Sequence, residues 1–149
     1  MDESTHYKKL ERMYLSAPCN EIYDPSITVA ERQAEISIQI TASLHHAAGA
    51  VHGSTYFKLL DDAAFFAANS LVEDVFVVTA NFNIHLLRPV IEGHLTAEGN
   101  VKTRAGSQLI AESVLLDADN KTIATGSGAF IKSKTKLSAD IGYERALKY

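Results

Sequence analysis

The stretch His46–Ser70, HAAGAVHGSTYFKLLDDAAFFAANS, constrains the fold more than any other part of the chain. It opens on a glycine-bearing turn and runs into a segment that is apolar almost all round. Phe57, Leu60, Ala64 and Ala67 recur at helical spacing, and Leu59, Ala63, Phe65, Phe66 and Ala68 fill the remaining faces. Such a helix is enclosed by its surroundings, not laid on a surface. Asp61 and Asp62 stand in its middle. An unpaired buried charge is costly, so an acid there needs a partner, a shifted pKa or a task.

The rest of the chain reads as a sheet built around that helix. Glu35–Thr41 alternates polar and apolar, as a half-buried strand does. After Glu73-Asp74 the period returns to two: Val78, Ala80, Phe82, Ile84 and Leu86 share one face, and Thr79, Asn81, Asn83 and His85 the other. Arg88-Pro89 and Gly93 end that strand. Leu95–Arg104, Gln108–Asp117 and Lys121–Lys132 follow, joined by the Ala105-Gly106-Ser107 turn and the Asp117–Asn120 connection. Connections this short demand antiparallel neighbours, so a four-strand meander is expected. Ahead of the sheet, Ser4 can cap a helix over about residues 5–17, with Leu10, Met13, Tyr14 and Ala17 on one stripe and Pro18 past its end. Residues 18–33 read as irregular. The tail, about 133–149, is polar and expected to be partly mobile.

Composition bounds the function. The 149 residues suit a single domain over 1–149. The net charge of −4 speaks against a nucleic-acid surface. No apolar run is long enough to cross a membrane, and the charged N-terminus lacks a signal-peptide core. The lone Cys19 has no partner for an intrachain disulfide. A cytoplasmic protein is the resulting expectation. His45, His46, His52, His85 and His94 raise the question of a metal, but their spacing matches no paired Cys/His or HExxH signature, so none is expected.

Chemistry concentrates in the central stretch. Gly53 falls at the start of the helix, where unpaired N–H groups suit a developing oxyanion. Asp61 could activate a water or attack directly. Eight helical steps separate the two by about 12 Å, too far to share one reacting carbon. If both belong to one site, Gly53 of one chain faces Asp61 of another, which predicts a homodimer with paired sites. Asp62 lies about 100° round the helix from Asp61 and reads as a structural partner of Lys58. His52 reads as a hydrogen-bonding residue of the turn. Tyr56, Phe57 and Phe65 mark a face with room for an apolar or aromatic group.

His52-Gly53-Ser54, Leu60-Asp61-Asp62-Ala63 and Asn69-Ser70 together resemble the HGG…D…A…NS pattern of hotdog-fold acyl-CoA thioesterases, in particular the PaaI-like branch of the 4-hydroxybenzoyl-CoA thioesterase superfamily. The resemblance runs from about Ile36 to Lys132 and includes TANFNIHLLRP, Gly93 and the Gly106 turn. It implies an α+β hotdog fold, a long helix wrapped by a curved antiparallel sheet, paired into homodimers and homotetramers. It implies hydrolysis of an acyl-CoA or related thioester. Asp61 falls at the position of the general base or nucleophile, Gly53 at that of the carbonyl-polarising N–H, and Thr79 at that of a hydroxyl holding the attacking water. His46 stands where the family often has Asn, Ser54 replaces the second Gly, and Asp62 stands where a small polar residue is common. Candidate contacts to substrate or coenzyme A are His52, Ser54, Arg88, Gly106 and Ser107. No metal or redox cofactor is implied; coenzyme A enters as part of the substrate. Two other readings are open on the same residues: a hotdog hydratase or dehydratase, and a non-catalytic acyl-CoA-binding module.

Overall fold

A computed structural model describes residues 3–145 of the chain. Helix α1 spans Glu3–Ser16, strand β1 Ser26–Ala30, strand β2 Gln33–Gln39 and helix α2 Gly53–Asn69. Strands β3 (Val75–Leu86), β4 (His94–Ala105), β5 (Gln108–Leu116) and β6 (Thr122–Lys136) follow. The six strands form one antiparallel sheet in the order β1-β2-β4-β5-β6-β3, and α2 packs against it. This is the hotdog arrangement. No described helix is long and apolar enough to cross a membrane.

The helix presses onto the sheet at one glycine. A Cβ on Gly99 of β4 would sit 2.2 Å from the Ala63 carbonyl oxygen, so only glycine admits this approach. The Ser113 hydroxyl of β5 donates to the Leu60 carbonyl at 2.7 Å. Leu59, Leu60, Ala63, Ala64, Ala67 and Ala68 are fully enclosed. The enclosure is not complete, however. Phe57, Lys58, Asp61, Asp62 and Phe65 form a stripe that this chain leaves half open or exposed. The all-round burial expected of α2 therefore fails along the stripe that carries its charges, where hydration is retained.

Four features differ from the reading of the sequence. First, β1 lies within the segment read as irregular. It pairs with β2 through a two-residue turn, Glu31-Arg32, in which Arg32 takes φ 64°. That turn lacks the Asn or Gly that marks a tight hairpin. The Arg32 amide is held instead by the Ser70 hydroxyl at 2.8 Å. Second, β3 is not a neighbour of β4. It lies beyond β6 at the sheet edge, so only β4, β5 and β6 form a meander. The link crosses the end of the curled sheet, with the Leu87 amide on the Ile123 carbonyl and the Val51 amide on the Val90 carbonyl. Third, α1 begins at Glu3, which puts Ser4 inside the first turn, not at the cap. Fourth, β6 continues to Lys136, paired with Val75, and the tail then folds back through a 3-10 turn, Ala139–Ile141, to bury Tyr143. The polar tail is thus docked as far as Tyr143, because Leu137, Ile141 and Tyr143 give it apolar anchors; residues 146–149 lie outside the described part.

Candidate active site

One irregularity in β3 sets the site. Thr79 pairs with Phe130, but Asn81 pairs with Ala129, so Ala80 is an extra residue in the strand. A bulge of this kind reverses which side chains face inward. Downstream of it Phe82 and Ile84 pack against the core; upstream Val77 is buried and Val78 faces out. Thr79 shares the side of its partner Phe130, the helix side, and not the outer face expected from simple alternation. From there its hydroxyl donates to Asp61 Oδ1 at 3.0 Å.

That bond joins the two residues most favoured for catalysis. Burial pushes the Asp61 carboxyl up to about 6; the Thr79 hydrogen bond opposes the rise, the Asp62 charge adds to it, and Lys58 counters. Such an acid is ionised at neutral pH yet basic enough to accept a proton. Lys58 does not pair with Asp61. Its Nζ lies 2.8 Å from Asp62 Oδ2, which also accepts from the Tyr14 hydroxyl at 2.8 Å. Asp62 is therefore a structural anchor between α1 and α2, as its position on the helix suggests.

Asp61 and Thr79 open onto a cleft of about 800 Å³. Phe65, Phe66 and Phe76 line it, the Phe65 ring about 5 Å from each of the other two and tilted to both. Met13 and Tyr14 of α1, Asp140, Ile141 and Gly142 of the tail, and the charged pair Lys58 and Asp62 also line it. Of the aromatic face expected from the sequence, only Phe65 lines this space. Tyr56 is buried, its hydroxyl on the Arg88 carbonyl at 3.1 Å, and Phe57 packs edge-on against Phe82. The contributions of α1 and the tail have no clear signal in the sequence: α1 shows only a packing stripe, and the tail's anchors are three residues in a polar stretch.

The other candidates lie elsewhere in the single chain. Gly53 opens α2, and His52 caps it, its Nδ1 accepting from the Ser54 amide at 3.0 Å with the Ser54 hydroxyl 2.8 Å away. The His46 ring stands edge-on to His52 with centroids 6.4 Å apart, its Nδ1 accepting from the Ala48 amide. Arg88 is exposed beside the same turn, through the Tyr56 contact. His46, His52, Gly53, Ser54 and Arg88 thus gather at the N-terminus of α2. Gly106 and Ser107 form the β4–β5 hairpin tip, with φ +62° at Gly106, near the other end of α2: the neighbouring Arg104 reaches the Leu71 carbonyl. Gly53 and Asp61 remain about 12 Å apart along one unbroken helix. Among the described residues no three His, Cys, Asp or Glu side chains converge as metal ligands.

The model of the thioesterase superfamily matches residues 48–124, just over half of the chain. Comparison with curated proteins finds no match. Among solved structures, the Escherichia coli PaaI protein from the phenylacetic acid degradation operon superposes with a TM-score of 0.82 at 22% identity, over 91% of this chain and 99% of that one. A conserved protein of Pseudomonas aeruginosa gives 0.76 at 24%, over 82% and 98%. A Haemophilus influenzae thioesterase gives 0.73 at 18%, over 80% and 85%. Likeness at this level of identity carries the fold.

Proposed function

This chain belongs to the thioesterase superfamily, and on that footing we propose that it hydrolyses an acyl-CoA, or a related acyl thioester, to the free acid and thiol. The observation that carries the proposal is the Asp61–Thr79 pair: a half-buried carboxylate with its pKa lifted to about 6, hydrogen-bonded to a hydroxyl, facing an apolar cleft.

In this reading the thioester carbonyl oxygen accepts the Gly53 N–H of one subunit, and its carbon lies beside Asp61 of the other. Thr79 donates to Asp61 Oδ1, which leaves the Thr79 oxygen lone pairs able to hold a water. Asp61 takes a proton from that water as the hydroxyl adds to the carbonyl carbon. The tetrahedral oxyanion rests on the Gly53 amide. Its collapse breaks the carbon–sulfur bond and expels the thiolate, and the proton on Asp61 passes to the thiolate or to solvent. His46 assists by orienting the carbonyl or the water. His52 and Ser54 shape the turn against the substrate, and Arg88 with the Gly106-Ser107 tip contacts the coenzyme A portion. Each role is filled by a protein group, with coenzyme A brought in by the substrate.

The reading needs a homodimer, with a homotetramer as its further assembly. Two features support it. The β3 edge is open, and Phe57, Leu86, Leu87 and Ile91 are exposed; open edges and apolar clusters call for cover. The test is Asp61→Asn, assayed for thiol release across short, long and aryl acyl-CoAs. Turnover should fall about 10²–10⁴-fold, the contribution of a general base. Near-normal turnover refutes the role. Binding of acyl-CoA by the unaltered protein without thiol release would favour a binding module instead.

A further inference from the structure

The tail is fixed, as far as Tyr143, more firmly than its composition suggests. His6 is fully buried, with Nε2 3.0 Å from the Asn69 carbonyl oxygen and Nδ1 2.7 Å from the Tyr143 hydroxyl. A carbonyl only accepts, so Nε2 carries the proton; in the neutral ring Nδ1 then accepts from Tyr143. One imidazole therefore ties α1, the C-terminus of α2 and the tail together. Gly142, at φ +86°, lies so close to α1 that a Cβ there would come within 2.4 Å of Ser16 Oγ. Lys9 adds its ammonium over the Tyr143 ring, 5.2 Å from the centroid.

None of these groups touches the reacting atoms, yet what they hold does. Asp140, Ile141 and Gly142 of the tethered turn line the same cleft as Asp61, Thr79 and Phe65. Leu137 and Ile141 hold the turn by apolar packing, and the tether adds the directional contact that fixes where Ile141 stands along the cleft. We propose that the Ala139–Gly142 turn, tethered through Tyr143 and His6, is the wall that limits the length of acyl group the cleft accepts. This rests on the thioesterase reading and deepens it. The favoured substrates are thioesters of short to medium apolar acids, bounded by Ile141 and by the Phe65–Phe76 aromatic wall. Tyr143 and His6 act as positioning residues, through the wall they hold.

The test compares kcat/KM for palmitoyl-CoA with that for hexanoyl-CoA in four proteins: the unaltered chain, Tyr143→Phe, Ile141→Ala and Ile141→Trp. Tyr143→Phe keeps the ring and deletes the hydroxyl; it should raise the long-to-short ratio about tenfold. Ile141→Ala should raise it too, and Ile141→Trp should lower it. A merely stabilising role for the turn predicts no such opposite signs. If Tyr143→Phe fails to fold, the Ile141 pair decides. Ratios within twofold of the unaltered chain in the variants that fold overturn the proposal. Calorimetric binding of S-hexyl- and S-hexadecyl-CoA, thioethers that cannot be hydrolysed, separates the two claims. If the preference shifts in binding while no thioester is cleaved, the length limit stands and the hydrolase reading falls. If thioesters are cleaved and neither preference moves, the reverse holds.

Discussion

At Asp61 two demands pull in opposite directions. Burial favours the protonated acid, whereas a general base must be ionised, and the Thr79 hydrogen bond shifts the balance towards the charged form. Below pH 6 the acid holds its proton, so kcat/KM should fall about tenfold per pH unit there and level off above it. Thr79→Val removes the bond that lowers the pKa, so that limb should move to higher pH while the plateau drops about tenfold; a pH–rate profile of both proteins checks this. The same shift has a cost in stability. An acid whose folded pKa is raised binds more protons folded than unfolded, so its contribution declines as pH rises from about 4 to 6. Asp61→Asn should therefore melt a few degrees higher than the unaltered chain at pH 8, and the gain should vanish below about pH 4, where Asp61 is neutral in both states. A melting series over that range reads it out. Asp61 is legible in the sequence because an acid within an apolar helix has few bland explanations. The facing of Thr79 is not, because one extra residue reverses the alternation and no side chain announces it.

The helix and its sheet meet through glycines, and these set what substitutions the elements tolerate. Gly99→Ala would drive a methyl into the Ala63 backbone, which cannot give way without moving α2. We expect a loss of about 3 kcal/mol or more, or failure to fold, measured by denaturant unfolding. Gly126→Ala meets the Phe82 ring at 2.6 Å, a side chain that can turn, and should cost nearer 1 kcal/mol. The elements themselves are mostly readable from period alone: α2, β2, β4 and β5 stand close to where alternation and helical spacing put them. β1 is hidden because it has five residues and a turn without glycine or asparagine. The place of β3 is hidden because short connections suggest adjacency, while a curled sheet lets its two ends approach. The docked tail is hidden because its anchors are few and scattered in a polar stretch, and its hydrogen bond to His6 spans 137 residues of sequence.

For the whole molecule, the distance between Gly53 and Asp61 turns a chemical proposal into a counting experiment. Gly53→Pro deletes the amide proton at a helix start, where proline is tolerated. With Asp61→Asn, it gives two inactive parents. If sites are shared across a two-fold axis, random remixing yields heterodimers in half of the pairs, each with one intact site of two. Activity should then return to about a quarter of the unaltered level, and stay near zero if each chain is self-sufficient. Assembly is the part least visible in one sequence, because an open edge and exposed apolar side chains say that a surface wants cover without saying by what.

The bulge at Ala80 has an evolutionary reach. Thr79 pairs with Phe130 and Asn81 with Ala129, which are neighbours on β6, so loss of that single codon would even the ladder and leave both pairings as they are. The hydroxyl would still meet the carboxylate, and Phe82 would still face the core. A lineage could gain or shed the extra residue without parting Thr79 from Asp61.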